Sequence, residues 1–148
     1  MIRIRGTLLA ENVLLYLDVK SRAEAVQRVT ESLRGDFRIS NWKEFLRALR
    51  AREAVGKANL EHGLTLPHVR TSTVTKMLMA FGRTKEPIRD ENVLIQFVVL
   101  VGIPETMDSD YLRLVGTLMR VFREDVLRHK LLCAQDPEEI LRVFEQNI

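Results

Sequence analysis

The sequence predicts an α/β domain in which a mixed central β-sheet carries helices on both faces. Runs rich in Val, Ile, Leu and Phe, which suit strands, alternate with segments whose apolar residues recur at helical spacing. One run, 93–103, is apolar almost throughout, as expected of a central strand covered on both faces. The length of 148 residues suits a single domain, and we expect residues 1–148 to form it.

The composition is that of an ordinary globular protein, with 46% hydrophobic residues, 29% charged residues and a net charge of +3. The basic residues are scattered, which argues against a nucleic-acid partner. Cys133 is the only cysteine, so an internal disulfide is excluded, and we expect it to pack among its apolar neighbours. No apolar run is long enough to span a bilayer. We therefore expect a cytoplasmic protein, with its oligomeric state left open.

The first half of the chain reads as one strand followed by two helices. Residues 12–19 are rich in Val, Leu and Tyr and predict the first strand. The motif Ser-Arg-Ala-Glu at 21–24 is a capping box that predicts the start of a helix. A similar box at 41–44 opens a second helix with its apolar stripe over 42–49, and residues 35–40 connect the two.

The middle of the chain predicts the rest of the sheet. Residues 63–68 are short and alternating, which indicates a strand or an extended arm. Pro67 has no N–H to donate, so it must lie at a sheet edge or a strand end. Residues 74–82 predict a further strand, 84–92 a polar loop, and 93–103 the central strand.

The last third of the chain predicts helices. Apolar residues at helical spacing begin after Asp108, and a further helical piece covers 124–134. The final helix has Asp136 as its N-cap and Pro137 at its first position, where the missing N–H costs nothing.

Histidine is the residue type that offers chemistry here, at His62, His68 and His129. None stands at a metal-ligand spacing, and the chain has no Gly-rich phosphate loop and no nucleophile elbow, so no metal or cofactor is indicated. His129 lies among basic residues of a predicted helix, and we expect its side chain to be exposed at the surface. His68 follows Pro67 at a strand end, which would hold its imidazole at the rim of the sheet. It is either a packing residue or a nucleophile that carries a phosphoryl group.

A phosphoryl acceptor needs fixed positive groups, because charge spreads over the phosphoryl oxygens in the transition state. Arg52, Lys57 and Arg70 are candidates for these groups, because they lie near His68 in sequence. The alternative for each one taken alone is an ordinary solvated surface charge.

Residues 52–68, REAVGKANLEHGLTLPH, resemble the signature of enzyme IIA domains of the fructose/mannitol class in the bacterial sugar phosphotransferase system. That class includes the nitrogen-regulatory enzyme IIA. The resemblance extends over essentially the whole chain. The signature positions that match in register are Arg52, Glu53, Gly56, Gly63, Pro67 and His68.

The resemblance implies a mixed sheet with helices on both sides and no metal or organic cofactor. It also implies that His68 accepts a phosphoryl group from the phosphocarrier protein HPr. His68 would then pass the group to an enzyme IIB domain, or its phosphorylation state would act as a signal. Arg52, Lys57, Arg70 and Tyr111 are the residues expected around the phosphate.

The chain departs from the family pattern at several positions. Tyr111 stands where the family usually has a second active-site histidine, and Lys57 and Ala58 replace the usual Ser-Thr. The glycines of the following turn are lost over 59–62, which also places an acid, Glu61, near the expected phosphate site. These changes leave two functions open: a phosphoryl carrier, and a regulatory module that docks on a partner without efficient transfer. An unrelated phosphohistidine hydrolase has little support, because no acid–base pair is evident.

Overall fold

The structure, a computed structural model, describes residues 3–147, and the predicted fold class is confirmed. Five strands form one mixed sheet, with helices packed on both of its faces. Residues 1, 2 and 148 of the predicted domain lie outside the described part. The elements in chain order are α1 Ile4–Thr7, β1 Leu8–Leu17, α2 Arg22–Glu31, α3 Trp42–Val55, β2 Leu64–Thr65, β3 His68–Arg70, β4 Leu78–Asp90, β5 Val93–Ile103, α4 Asp108–Arg123, α5 Asp125–Cys133 and α6 Pro137–Gln146.

The sheet runs in the order β1-β4-β5, and both β2 and β3 pair with β5 at its far side. β1 is parallel to β4, β4 is antiparallel to β5, and β2 and β3 are parallel to β5. β2 and β3 are two pieces of one edge strand, interrupted at 66–67. Pro67 lies in this interruption, and its carbonyl accepts a hydrogen bond of 3.0 Å from the N–H of Val101. The prediction that Pro67 sits at an edge is confirmed.

The prediction of a polar loop over 84–92 is wrong, because β4 continues to Asp90. The β4–β5 pairing is irregular between Arg83 and Ile88 and then resumes, so that Asp90 pairs with Val93. The turn is thus reduced to residues 91–92. This end of the hairpin extends into solvent, which explains why it carries the polar residues typical of a loop.

The predicted helix starts are confirmed by their capping contacts. Ser21, Asn41 and Asp136 each accept a hydrogen bond from the backbone N–H three residues later, at 3.1, 3.1 and 2.9 Å. The short helix α1 had no signal in the sequence. Among residues 3–147, no helix is both long enough and apolar enough to cross a bilayer.

The core lies in two layers, one on each side of the sheet. Helices α4, α5 and α6 cover one face, whereas α2 and α3 cover the other. The edge strand alternates between the layers: Leu64 and Leu66 join the α4 side, and Val69 joins the α2–α3 side. A side chain at the end of this strand can therefore meet residues of both helical layers.

Cys133 does not pack as predicted. Its side chain is exposed on α5, and its Sγ lies 3.4 Å from Nε2 of His129 in the preceding turn. The apolar neighbours Leu131 and Ala134 take the buried positions instead, because one helix turn presents only some of its side chains to the core.

Candidate functional site

His68 begins β3, directly after the break at Pro67, and is half-buried. Its Nδ1 lies 2.8 Å from the carbonyl oxygen of Leu66, and its Nε2 lies 3.3 Å from Nη2 of Arg52. A carbonyl oxygen only accepts and a guanidinium only donates. These partners assign the proton to Nδ1 and the lone pair to Nε2. Nε2 is therefore the ring nitrogen whose lone pair is available for chemistry.

Arg52 reaches this ring from the last turn of α3. Its Nη1 donates to the carbonyl oxygen of Gly56 at 3.1 Å, a contact that satisfies one of the unpaired carbonyls at the helix end. The other side of the guanidinium is then directed at Nε2 of His68. The structure thus brings together two site residues that the sequence predicted, Arg52 from α3 and His68 from β3.

Tyr111 approaches His68 from the other helical layer, in the first turn of α4. The two rings stack with their centroids 5.5 Å apart and an angle of 26° between their planes. Burial raises the pKa of the Tyr111 phenol, against the opposing effect of the nearby Arg52 charge. The hydroxyl accordingly stays protonated at neutral pH and can donate a hydrogen bond.

Arg70 lies two residues after His68, on the same side of β3. Its Nε is 3.1 Å from a carboxylate oxygen of Asp108, and its Nη2 donates to the carbonyl oxygen of Glu105 at 3.0 Å. These contacts tie β3 to the beginning of α4, the helix that carries Tyr111. The structure places Arg70 at this junction, where it holds the two sides of the site together.

Lys57 is directed toward the turn between β4 and β5. Its Nζ lies 3.0 and 3.1 Å from the two carboxylate oxygens of Asp90 and 3.6 Å from a carboxylate oxygen of Glu91. The hydrogen bond that Lys57 donates to Asp90 is the main cause that raises the pKa of Lys57. Within residues 3–147, no hydrogen bond joins Lys57 to His68, so the structure does not bring these two residues together directly.

The segment before His68 forms a tight loop without the usual glycines. Backbone hydrogen bonds close it, including one of 2.9 Å from the N–H of Leu66 to the carbonyl of Ala58. At its tip His62 and Gly63 have φ angles of 63° and 78°, a left-handed conformation that histidine adopts more readily than most residues. The side chain of Glu61 is 94% exposed, so its carboxylate is directed to solvent.

A set of polar residues behind the loop, centred on the buried Arg22, could not be recognised from the sequence. This arginine is only 5% exposed and contacts Glu53, Asn59 and Thr65. The one available signal was a threonine in an otherwise apolar edge strand. Across residues 3–147, no three His, Cys, Asp or Glu side chains cluster as metal ligands.

The site combines an imidazole whose Nε2 lone pair faces the guanidinium of Arg52 with a phenol stacked on the ring. A guanidinium suits the oxygens of a phosphoryl group, because its N–H donors and charge match them. Such a site can attack an electron-poor phosphorus atom and hold the resulting anion.

Comparison with known proteins finds a matching family model and several related chains. The family model for the phosphoenolpyruvate-dependent sugar phosphotransferase system, EIIA 2, matches residues 7–147. A 2-O-alpha-mannosyl-D-glycerate-specific EIIABC component from Escherichia coli is 29% identical over 84% of the chain. The chain spans about a fifth of the length of this relative (20%) and of a fructose-specific EIIABC component from Bacillus subtilis (23%). In contrast, it covers 89% of a nitrogen regulatory protein from Bradyrhizobium diazoefficiens, at 25% identity over 90% of the chain.

Solved structures share the fold. The nitrogen regulatory protein IIA-Ntr from Neisseria meningitidis superposes with a TM-score of 0.82 over 95% of the chain and 98% of its own, at 22% identity. Enzyme IIA mannitol from E. coli, in a complex with phosphorylated enzyme IIB mannitol, gives a TM-score of 0.76 over 93% and 96%, at 17% identity.

Proposed function

Because the chain belongs to the EIIA 2 family of the phosphoenolpyruvate-dependent sugar phosphotransferase system, we propose that it carries a phosphoryl group on Nε2 of His68. The contact that carries this proposal is the hydrogen bond between Nδ1 and the carbonyl of Leu66, at 2.8 Å. It leaves Nε2 as the atom with a lone pair, and it holds the ring at the edge of the sheet.

In the proposed reaction, the Nε2 lone pair attacks phosphorus in line with the bond to the donor. The Nε2–P bond forms as the donor–P bond breaks, and Nδ1 keeps its proton throughout. Arg52 stabilises the charge on the phosphoryl oxygens, since its guanidinium already lies 3.3 Å from Nε2. The hydroxyl of Tyr111 donates a further hydrogen bond, the task that the usual second histidine would perform.

Arg70 and Lys57 have secondary roles in this proposal. Both are held by acids, Arg70 by Asp108 and Lys57 by Asp90. They contribute positive charge near the site, and either can turn to the phosphate only by leaving its acidic partner. Of the four expected phosphate-binding residues, Arg52 and Tyr111 are therefore the stronger candidates.

We propose HPr as the donor and an enzyme IIB domain as the acceptor. The complex of enzyme IIA mannitol with phosphorylated enzyme IIB mannitol supports the second of these partners. Two exposed apolar side chains also suit protein docking: Val55, 84% exposed, ends the helix of Arg52, and Leu112, 69% exposed, follows Tyr111.

The experiment that tests the proposal is the intact mass of the protein after incubation with phosphoenolpyruvate, enzyme I and HPr. One phosphoryl adduct is expected on the wild type and on the control variant His62→Ala, and none on His68→Ala. The proposal fails if a folded wild type stays unmodified with its cognate HPr while a known enzyme IIA in the same mixture is phosphorylated.

A regulatory role is the second candidate, and one observation favours it. A nitrogen regulatory protein from Bradyrhizobium diazoefficiens is 25% identical over 90% of the chain. In this role, the state of His68 would control docking on a target protein. Capture experiments with phosphorylated and unphosphorylated protein test it: a target that binds only one form supports regulation, and a target indifferent to His68→Ala argues against it.

A further inference from the structure

A single buried arginine joins three segments behind the site. Arg22 is the first residue of α2, and its guanidinium binds both carboxylate oxygens of Glu53, at 2.6 and 3.3 Å. Its Nε donates to the hydroxyl of Thr65 at 2.8 Å and to the amide oxygen of Asn59 at 3.1 Å. α2 is thereby connected to the last turn of α3, to the loop after it, and to β2.

Two of these contacts lie next to the residues that hold the imidazole. Glu53 follows Arg52, which contacts Nε2 of His68, and Thr65 precedes Leu66, whose carbonyl accepts from Nδ1. We propose that Arg22 is a positioning residue, which sets the Nδ1–H form and the orientation of the His68 ring by holding both of its partners in place. This inference rests on the proposed function for its meaning in phosphoryl transfer.

Asn59 extends the same network to the β4–β5 turn. Its amide nitrogen donates to a carboxylate oxygen of Asp90 at 2.8 Å, and its oxygen accepts from the hydroxyl of Thr65 at 2.8 Å. Lys57 binds the same carboxylate. Burial would raise the pKa of Asp90, but the hydrogen bonds from Asn59 and Lys57 outweigh it and lower the pKa. The loop before His68 is thus held at Asn59 and at Thr65, and among the described residues 3–147 no hydrogen bond joins Arg22 to the His68 ring itself.

A lysine at position 22 would not serve the same purpose. A guanidinium presents donors in a rigid fork, so Arg22 binds the carboxylate of Glu53 with two nitrogens while Nε reaches Asn59 and Thr65. An ammonium is a compact point charge and cannot reach all three groups at once. Arg22→Lys therefore keeps the positive charge but loses the forked hydrogen bonds. The variant distinguishes a positioning role of Arg22 from a role that needs only its charge.

The test compares wild type, Arg22→Lys and Arg22→Met, with Arg28→Met as the matched control on an exposed part of the same helix. The first readout is the nitrogen chemical shifts of the His68 imidazole in the unphosphorylated protein, which report its tautomer. The wild type and Arg28→Met are expected to show the Nδ1–H form alone, and both Arg22 variants a mixture. The second readout is the rate of phosphorylation by HPr, expected to fall about 10- to 100-fold in the Arg22 variants, the scale of a small misplacement of reacting groups.

Thr65→Val keeps the inference testable if Arg22→Met does not fold, since it removes one hydroxyl of the network and preserves shape. The His68 imidazole of this variant is also expected to show a mixture of the two tautomers. Wild-type tautomers and rates in folded Arg22→Lys and Thr65→Val would overturn the inference. Absence of phosphorylation in the wild type would instead overturn the proposed function, and the tautomer comparison would still decide the role of Arg22.

Discussion

Nη2 of Arg52 lies 3.3 Å from Nε2 of His68, on the side of the ring opposite the carbonyl that holds Nδ1. The contact joins the end of α3 to the start of β3, two elements separated by a loop and by β2. It gives Nε2 of His68 a fixed positive neighbour. In the proposed phosphoryl transfer, preorganised charge of this kind stabilises the transition state without rearrangement during the reaction.

The first prediction concerns this guanidinium. Arg52→Met is expected to slow phosphorylation of His68 by about 100-fold or more, the usual effect of removing one preorganised donor from a transition state. Stopped or quenched reactions with phosphorylated HPr, followed by intact mass, would measure it. Arg50→Met, exposed on the same helix, is the control and should react at the wild-type rate. Equal rates of phosphorylation in the two variants would show that Arg52 takes no part in the reaction.

The second prediction tests the tyrosine that replaces the usual histidine. Tyr111→Phe keeps the ring stacked on His68 but removes the hydroxyl, and we expect transfer to slow by about 3- to 10-fold, the value of one hydrogen bond. Tyr111→His should make the rate depend on pH near neutrality, because a histidine there gains a charge and a phenol does not. Unchanged kinetics in Tyr111→Phe would show that the hydroxyl takes no part.

The third prediction separates the two cations that the sequence placed on an equal footing. Lys57 is held by Asp90, whereas Arg52 contacts the ring. Lys57→Met should therefore slow phosphorylation much less than Arg52→Met in the same assay. A loss as large as that of Arg52→Met would mean that Lys57 leaves Asp90 and binds the phosphate during transfer.

The fourth prediction concerns stability and its dependence on pH. Arg38 is fully buried and binds the carboxylate of Asp36 at 2.8 Å. Burial would raise the pKa of Asp36, but the hydrogen bonds from the side chain and backbone of Arg38 outweigh it, so the pKa is lowered. The stability contributed by this pair is therefore fully present above about pH 4, the unfolded pKa, and is lost as the pH falls through the folded pKa.

Two variants test this assignment by urea unfolding between pH 3 and pH 7. Arg38→Met should lower the free energy of unfolding at pH 7 by about 3–5 kcal/mol, because it leaves a buried carboxylate without its partner. Asp36→Asn should flatten the loss of stability at acid pH. Arg34→Met, which breaks an exposed pair with Glu31, is the control and should change little. An acid profile of Asp36→Asn identical to the wild type would contradict the assignment.

Local signals in the sequence predicted most of the fold. The capping residues correctly predicted the starts of α2, α3 and α6, and the apolar run 93–103 correctly predicted β5. Both signals come from residues that are close in sequence. The segment 84–92 was misread because an exposed hairpin end and a loop have the same polar composition. The network of Arg22 could not be found, because its partners Glu53 and Thr65 are distant in sequence and meet only through the fold.

The site was predictable to a similar degree. The pattern around His68 predicted a nucleophile there, which stays a prediction, and Arg52 and Tyr111 do meet the His68 ring in the structure. Nearness in sequence was a poorer guide for Arg70 and Lys57, whose side chains are bound by acids on other elements. Only the three-dimensional arrangement of those acids decides where a long, flexible cation points.

The most direct test of the proposed role is to identify which nitrogen of His68 carries the phosphoryl group. Phosphorus–nitrogen correlation by NMR, on protein labelled with nitrogen-15 and phosphorylated through HPr, measures this directly. We predict phosphorylation at Nε2 alone, with Nδ1 still protonated and bonded to the carbonyl of Leu66. A phosphoryl group on Nδ1, or on a residue other than His68, would contradict the proposed mechanism.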